Sequence, residues 1–186
     1  MENRCKWAES TELMRQYHDK EWGVPVHNDQ KLFEFLLLDT FQAGLSWQTI
    51  LSKRENFRKA FDNFDAEKIA AYKDDKKNAL MQDAGIIRNK LKINAAVTNA
   101  QHFLRLQQES GSFDKYIWQF TGGKTIFNNW KAQSEIPAKS PESDLMSKAL
   151  QKEGFKFVGS TICYAFMQAA GMVHDHTTDC FRYRAV

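Results

Sequence analysis

Apolar residues recur at helical spacing through most of this chain, and no stretch alternates apolar and polar residues as a half-buried strand does. In the segment 46–61, for example, Trp47, Ile50, Phe57 and Phe61 fall on one side of a helix. Helices with one apolar face must bury that face against other elements. The pattern therefore predicts an all-α fold, and no internal repeat suggests a solenoid.

Cap and break residues set the expected helix bounds. Asp65, Asp75 and Asn89 are residue types that cap helix N-termini. Gly122 and Pro137 lie in a stretch that we expect to be a loop. Besides segment 46–61, the sequence predicts helices over residues 30–38, 65–71, 75–83 and 89–108, and an irregular region over 121–140.

A helical hairpin is predicted near the C-terminal end. Ser140 and Pro141 begin a helix that reaches residue 153, where Gly154 stops it, and a second helix spans 160–170. The turn Lys156-Phe157-Val158-Gly159 would aim backbone N–H groups at a phosphate, although glycine turns between helices are also ordinary structural elements. Five basic residues could continue such a contact or form a solvated face: Lys53, Arg54, Arg88, Lys90 and Lys92.

Length and composition bound the class of protein. At 186 residues the chain fits one domain over 1–186, and its 42% hydrophobic and 26% charged residues are typical of globular proteins. No apolar run approaches the roughly 20 residues of a membrane helix, and the N-terminus lacks the apolar core of a signal peptide. We expect a cytoplasmic monomer without membrane contact. The net charge of +3 is compatible with nucleic acid but does not require it.

Cysteine and histidine pairs lie near both ends of the sequence. Cys5 and His18 are close to the start, whereas His176 and Cys180 are spaced i, i+4, so that a helical turn would place the latter two on one face. Two thiols and two imidazoles suit a closed, structural Zn²⁺ site. The spacing matches no standard zinc finger and fits unrelated core or surface residues equally well. The third cysteine, Cys163, lies in an apolar helix and is expected to be buried.

Aromatic residues surround the stretch from Asp39 to Trp47, since Trp7, Tyr17 and Trp22 precede it. A damaged base taken out of the duplex must lie between flat side chains while a polar group reads its edge, and rings with one carboxylate suit that task. Residue by residue, however, core packing explains the rings more simply, and Asp39 could equally cap a helix. The stretch is therefore a candidate base pocket with an ordinary alternative.

Four segments in order carry a resemblance to a known family. They are YHDKEWGVP at 17–25, QAGLSW at 42–47, DAGIIR at 83–88 and GFKFVG at 154–159. With them, nearly the whole chain resembles the 3-methyladenine DNA glycosylase I family, a branch of the helix-hairpin-helix glycosylases. The resemblance implies an all-α domain that flips 3-methyladenine out of alkylated double-stranded DNA, hydrolyses its N-glycosidic bond in base excision repair, and releases the free base.

The resemblance also implies roles for individual residues, in three groups. The ligands of one structural Zn²⁺ per chain, which would join the terminal segments 1–25 and 172–186, would be Cys5, His18, His176 and Cys180. The base pocket would comprise Trp7, Tyr17, Trp22, Asp39 and Trp47. The hairpin that binds DNA would be formed by Lys156, Phe157, Val158 and Gly159.

One position departs from the family, because Asp39 stands where the family carries the longer glutamate. The charge is retained but the reach is shortened. An adenine methylated at N3 is cationic and leaves the sugar as a neutral base; Tyr17 and Trp47 can stack on it, and Asp39 can accept a hydrogen bond from its amino edge. Neutral adenine gains less from this preorganised pocket. No amine nucleophile is apparent, so lyase activity is not expected.

Asp175 follows the predicted hairpin, in the slot where helix-hairpin-helix glycosylases commonly place an aspartate. It is a candidate to stabilise positive charge on the sugar, but beside His176 it would more simply orient the metal site. Two other classes of function stay open. One is a zinc-clasped module that binds damaged or bent DNA without catalysis; the other is a zinc enzyme with an open coordination position, which four protein ligands disfavour.

Overall fold

The computed structural model describes residues 3–185 and is mostly helical. Met1, Glu2 and Val186, which the predicted domain and its terminal clasp include, lie outside the described residues. The helices are α1 (Glu12–Lys20), α2 (Asp29–Gln42), α3 (Trp47–Ala60), α4 (Ala66–Ala70), α5 (Asp74–Gln82), α6 (Lys90–Ser110), α7 (Phe113–Trp118), α8 (Pro141–Lys152) and α9 (Ser160–Ala169). Short 3-10 helices cover Lys6–Ser10, Asp62–Phe64, Gln119–Thr121 and Gln133–Glu135. The prediction of a mainly helical chain is confirmed.

Most predicted helix bounds lie close to the observed ones, and the differences have physical reasons. Helix α2 runs on to Gln42 because Asp39 and Thr40 are buried within it and no glycine or proline follows them before Gly44. Lys73, not Asp75, is the N-cap residue of α5, so that predicted cap is wrong; Asp75 lies in the first turn, where a carboxylate favours the positive end of the helix dipole. Helices α1 and α7 were not predicted.

Two very short strands tie the irregular region after α7 to the segment after α9. Strand β1 (Ile126–Phe127) pairs in parallel with β2 (Val173–His174), and Ile126 lies opposite Val173. The backbone N–H of Asn128 extends this pairing by donating to the His174 carbonyl at 3.2 Å. The loop predicted over 121–140 is therefore fixed against the core although it contains little helix.

Helix α2 is the central element of the fold. Every residue from Leu32 to Phe41 is buried, including two carboxylates, Glu34 and Asp39. A helix that is apolar on nearly all sides belongs inside a bundle, and α2 contacts α3, α6, α7 and α9. This position carries Asp39 into the interior of the protein, where it is 1% exposed.

A buried ion-pair network joins the first three helices. The Arg54 guanidinium, on α3, donates to both carboxylate oxygens of Glu21 at 2.9 Å and to Glu34 of α2 at 2.6 Å. Arg58 adds a second donor to Glu34 at 2.8 Å. These contacts fix α1 against α2 and α3 and thereby position Tyr17, His18, Asp39 and Trp47 relative to one another. No helix within residues 3–185 combines the length and apolarity that crossing a bilayer requires.

Candidate functional site

A cavity of about 370 Å³ opens between the end of α1, the end of α2 and the start of α3. The five predicted pocket residues, Trp7, Tyr17, Trp22, Asp39 and Trp47, all line it. Its rings form a continuous wall, since the centroids of Tyr17 and Trp47 are 5.2 Å apart and those of Trp7 and Trp22 are 5.0 Å apart. The volume and mixed lining are those of a small-molecule site.

Two polar atoms in this cavity are buried without a hydrogen-bond partner. They are Oδ2 of Asp39 and Nε1 of Trp47; the other two such side-chain atoms within residues 3–185 are His174 Nδ1 and Arg182 Nε. A buried polar group without a partner costs roughly 1–3 kcal/mol. One acceptor and one donor that the chain leaves unpaired in a single cavity are suited to a ligand that carries both a donor and an acceptor.

Burial also changes the acidity of two groups that line the cavity. Desolvation raises the pKa of Asp39 well above its ordinary value. Desolvation, followed by the nearby carboxylates of Asp39 and Glu21, raises the pKa of the Tyr17 hydroxyl. A cation entering the cavity would favour the ionised form of Asp39 and so oppose the effect of burial. A positively charged ligand would therefore stabilise an ionised Asp39 in this cavity.

A buried lysine stabilises the turn between α2 and α3 through hydrogen bonds to its backbone. Lys92 is 7% exposed, and its Nζ donates to the carbonyls of Phe41 at 2.8 Å and Ala43 at 2.6 Å. Ser46 caps α3 by accepting a hydrogen bond from the N–H of Thr49. A cation at the C-terminal end of α2 and a cap at the start of α3 fix the two ends of the turn, and with them Asp39 and Trp47.

Lys92 and Arg54 therefore correct one expectation. Both were candidates for phosphate contacts, but Lys92 caps α2 and Arg54, 5% exposed, is consumed by the ion-pair network. The expectation fails because sequence alone does not show whether a lysine or arginine will pair with a buried carbonyl or carboxylate group.

Sequence reasoning missed much of the cavity wall. Gln42 lies in the predicted stretch, but six further lining residues were not named: Met14, Gln133, Ile136, Pro137, Ala165 and Gln168. Three of them come from the irregular region, whose approach to the pocket no sequence pattern signals. Gln168 did leave a signal: an amide in the otherwise apolar helix α9 is expected to serve a polar partner.

The four predicted metal ligands meet in one buried cluster. Donor atoms of Cys5, His18, His176 and Cys180 all lie within 4.8 Å of one another. Nδ1 of His176 is 3.1 Å from Nε2 of His18, 3.5 Å from Cys180 Sγ and 3.7 Å from Cys5 Sγ. A tetrahedron with bonds of about 2.0 Å to nitrogen and 2.3 Å to sulfur has edges of roughly 3.3–3.8 Å. The donor set and its separations fit Zn²⁺.

The second nitrogen of each histidine has a partner that orients the ring. His18 Nδ1 lies 2.8 Å from Asp19 Oδ1, and Asp19 in turn accepts hydrogen bonds from Arg4. His176 Nε2 lies 3.1 Å from the Trp22 carbonyl oxygen. Metal-binding histidines are usually oriented in this way. The hydrogen bond between the two sulfurs raises the pKa of the Cys5 thiol and lowers that of Cys180.

His176 and Cys180 do not meet by the expected route. Residues 175–180 form an irregular segment closed by a turn, in which the N–H of Cys180 donates to the Thr177 carbonyl at 2.8 Å. The prediction of a helical turn is therefore wrong, although the two side chains do face each other. The cluster also shares a wall with the cavity, because the Trp22 ring lies 4.6 Å from the His176 ring and the Trp7 ring 5.3 Å from the His18 ring.

The predicted hairpin joins α8 to α9 at the surface. Asn99 of α6 holds its backbone by donating to the Lys156 carbonyl at 3.0 Å and accepting from the Lys156 N–H at 2.8 Å. Val158 is buried, whereas Lys156, Phe157 and Gly159 are exposed. No side chain caps the start of α9, and a Cβ placed on Gly159 would meet open space. The first N–H groups of α9 thus lack a side-chain cap.

Asp175 precedes His176 in the sequence, but its side chain forms its hydrogen bonds with residues other than the four cluster ligands. Its carboxylate accepts four hydrogen bonds, from Asn128, Trp130, Tyr164 and Gln168, at 2.6–2.9 Å. Asp175 is 1% exposed. The roles expected for it, at the sugar and at the metal site, remain predictions, and the observed contacts point to a different one. Cys163 is buried, as expected, and Sγ lies 3.3 Å from the Val158 carbonyl.

Known proteins resemble this chain over nearly its full length. A family model described as methyladenine glycosylase matches residues 7–183. The DNA-3-methyladenine glycosylase 1 of Escherichia coli (strain K12) is 47% identical over 180 residues, which cover 97% of this chain and 96% of that protein.

Solved structures agree with the sequence comparison. A crystal structure of a 3-methyladenine DNA glycosylase I superposes with a TM-score of 0.94 at 47% identity, covering 96% of this chain and 98% of that one. The Staphylococcus aureus 3-methyladenine DNA glycosylase I, whose structure describes recognition of 3-methyladenine, superposes with a TM-score of 0.93 at 34% identity, covering 97% and 96%. The chain belongs to the methyladenine glycosylase family and is an enzyme, a hydrolase that acts on N-glycosyl bonds.

Proposed function

We propose that this chain removes 3-methyladenine from alkylated double-stranded DNA by hydrolysing the bond between the flipped base and its sugar. The observation that carries the proposal is the unpaired acceptor Asp39 Oδ2 and the unpaired donor Trp47 Nε1, which lie in one aromatic cavity. The base offers an amino group to the first and ring nitrogen acceptors to the second. The relatives named for this activity support the same substrate.

Selectivity in this proposal follows from charge. Methylation at N3 makes the base cationic, so it leaves the sugar as a neutral molecule and needs little catalytic assistance. The faces of Tyr17 and Trp47 attract a cation, and the buried carboxylate of Asp39 is worth more to a cation than to neutral adenine, because water is largely excluded. These contacts act on binding and positioning of the damaged base, because the base loses its positive charge as the bond to the sugar breaks.

DNA is held, in this proposal, by the hairpin at Lys156, Phe157 and Gly159. The N–H groups at the start of α9 lack a side-chain cap and can donate to a phosphate, and Lys156 adds a positive charge. Val158 acts as the buried anchor of the turn. Base flipping follows from the depth of Asp39, because a stacked base could not reach it.

A structural Zn²⁺ in the cluster of Cys5, His18, His176 and Cys180 completes the proposal. Four protein donors leave no open position, so the ion would stabilise the fold and would not activate water. Its fold-level effect is to join the segments at the two ends of the domain, 3–25 and 172–185. Among the described residues, those that line the cavity include no lysine, which supports a glycosylase without lyase activity.

The direct test is release of base from alkylated duplex DNA by the purified protein. We expect free 3-methyladenine, quantified by chromatography, and intact strands until the abasic sites are cleaved by alkali. Untreated duplex of the same sequence is the control. A protein that binds alkylated DNA but releases no base would be the non-enzymatic binding module, and strand cleavage without alkali would contradict the absence of lyase activity.

A further inference from the structure

The Asp175 carboxylate is the most heavily hydrogen-bonded side chain next to the cavity. Oδ1 accepts from Asn128 Nδ2 at 2.7 Å and from Trp130 Nε1 at 2.8 Å. Oδ2 accepts from the Tyr164 hydroxyl at 2.6 Å and from Gln168 Nε2 at 2.9 Å. None of the four donors belongs to a cluster ligand. Four charge-assisted bonds to one buried carboxylate hold their donors in a fixed geometry.

The four donors come from two segments of the chain, and each segment also contributes residues to the cavity wall. Tyr164 and Gln168 are spaced i, i+4 and therefore share one face of α9, and Gln168 lines the cavity. Asn128 and Trp130 lie just beyond β1, on the chain that continues to three further lining residues, Gln133, Ile136 and Pro137. Asp175 thus joins the two wall segments through a single side chain.

The bond to Gln168 also fixes the orientation of its side-chain amide. An amide offers one acceptor oxygen and one donor nitrogen, and the two can exchange places by a flip about the last side-chain bond. Because one N–H of Nε2 is committed to Asp175, the amide cannot flip; Oε1 is fixed as its acceptor, while Nε2 keeps a second N–H. An acceptor on Gln168, in the same cavity as Asp39, would reinforce the attraction of the cavity for an amino group on a cationic base.

We propose that Asp175 is a positioning residue for base recognition, which fixes Gln168 as an acceptor in the cavity wall and ties the segment 128–137 to α9. This inference rests on the proposed function. It assigns Asp175 no contact with the sugar, since all four of its hydrogen bonds go to the protein. It also separates Asp175 from the neighbouring His176 in role.

The molecule contains a matched control for this inference. Asp29, at the start of α2, also gathers donors from distant parts of the chain: Gln107 Nε2 at 2.7 Å, the Phe113 N–H at 2.9 Å and the Asp114 N–H at 2.8 Å. It does not line the cavity. Asp29→Asn therefore disrupts a comparable set of hydrogen bonds without touching the base site.

The experiment compares binding of free 3-methyladenine, followed by tryptophan fluorescence, in Asp175→Asn, Gln168→Met and Asp29→Asn, each below its melting temperature. We expect the first two to weaken binding about tenfold, the effect of losing one hydrogen bond. Asp29→Asn should change it by less than about twofold even where its melting temperature falls as much. Wild-type affinity in Gln168→Met, or an equal loss in Asp29→Asn, would overturn the inference; Gln168→Met decides it if Asp175→Asn does not fold.

Hydrogen exchange of side chains separates this inference from the proposed function. The indole N–H of Trp130 and the amide of Gln168 should be protected in the wild type and should exchange much faster in Asp175→Asn. If the wild type neither binds nor releases methyladenine, the proposed function fails, while protection of these protons still reports on the tie. Rapid exchange of both protons in the wild type would contradict the proposed hydrogen bonds of Asp175 and overturn the inference.

Discussion

The Cys/His cluster and the base cavity share aromatic walls but treat their polar atoms in opposite ways. In the cluster, the outer ring nitrogens of His18 and His176 are already paired, with Asp19 and with the Trp22 carbonyl. In the cavity, Asp39 and Trp47 each leave a buried atom unpaired. The chain itself orients the atoms of the first site, whereas the second awaits a ligand. Among the side chains that form the two sites, buried unpaired atoms occur in the cavity and not on the four cluster ligands; His174 Nδ1 and Arg182 Nε belong to neither set.

The largest effect should come from removing one ligand of the Cys/His cluster. Cys180→Ser removes one donor of the four, so we expect loss of bound zinc and a decrease of about 4 kcal/mol in the free energy of unfolding, or roughly 10 °C in melting temperature. Metal content by mass spectrometry and thermal denaturation measure the two. Cys163→Ser, a buried cysteine outside the cluster, is the control and should keep its metal. Full metal content in Cys180→Ser would refute the ligand assignment.

A substitution in the cavity should lower activity without lowering stability. Asp39→Asn removes the charge but keeps the size, and we expect release of 3-methyladenine to fall about 100-fold, the value of a charge-assisted hydrogen bond. The melting temperature at neutral pH should stay the same or rise, because a buried, unpaired carboxylate is destabilising. Asp39→Glu retains the charge and should lose far less activity. Equal losses in both variants would show that shape, not charge, governs recognition.

The contrast also predicts opposite responses of activity and stability to pH. Because burial raises the pKa of Asp39, its proton is bound more tightly in the folded than in the unfolded chain. Asp39 thus favours folding fully below its unfolded pKa of about 3.9, and this contribution is lost as pH rises through the folded pKa. Base release should instead fall about tenfold per pH unit below the folded pKa. Asp39→Asn should flatten both profiles, and an unchanged stability profile would argue against Asp39 as their source.

The smallest effect concerns the hairpin, where the first N–H groups of α9, like the two cavity atoms, have no side-chain partner. Lys156→Ala leaves the backbone held by Asn99 and should weaken binding to duplex DNA only about threefold, with the slope of log affinity against log salt reduced by about one. Fluorescence anisotropy over a salt series measures both. Lys152→Ala, an exposed lysine at the end of α8, should have no such effect. An equal change in Lys152→Ala would mean that net charge, not the hairpin, determines affinity.

Sequence reasoning succeeded where side chains repeat a local rule. Helices α3, α6 and α8 have apolar periodicity together with cap residues at Ser46, Asn89 and Ser140, and these features depend only on neighbours along the chain. The short strand β1 escaped prediction because two residues are too few for an alternation. Most of helix α1 is polar, so its apolar face is too narrow to stand out in sequence.

Prediction of the candidate site succeeded and failed for the same reason as prediction of the fold. Tyr17, Trp22 and Trp47 could be named because they belong to segments shared with a family, and the resemblance over nearly the whole chain added Trp7 and Asp39. Nothing local revealed that Asp39 Oδ2 would remain unpaired or that Gln133 and Gln168 would reach the same cavity. Arg54 and Lys92 were misassigned for the same reason, since the partners that bury them lie far away in sequence.

The cluster that joins the two ends of the domain has a consequence for biosynthesis. Cys5 and His176 are 171 positions apart, so nearly the whole chain must leave the ribosome before the cluster can close. Trp7 and Trp22 pack on its histidines and also form the cavity wall. Trp7 and Trp22 would therefore reach their final packing only after residue 180 has been translated, and a chain terminated before that residue would lack both the complete cluster and this support of the cavity wall.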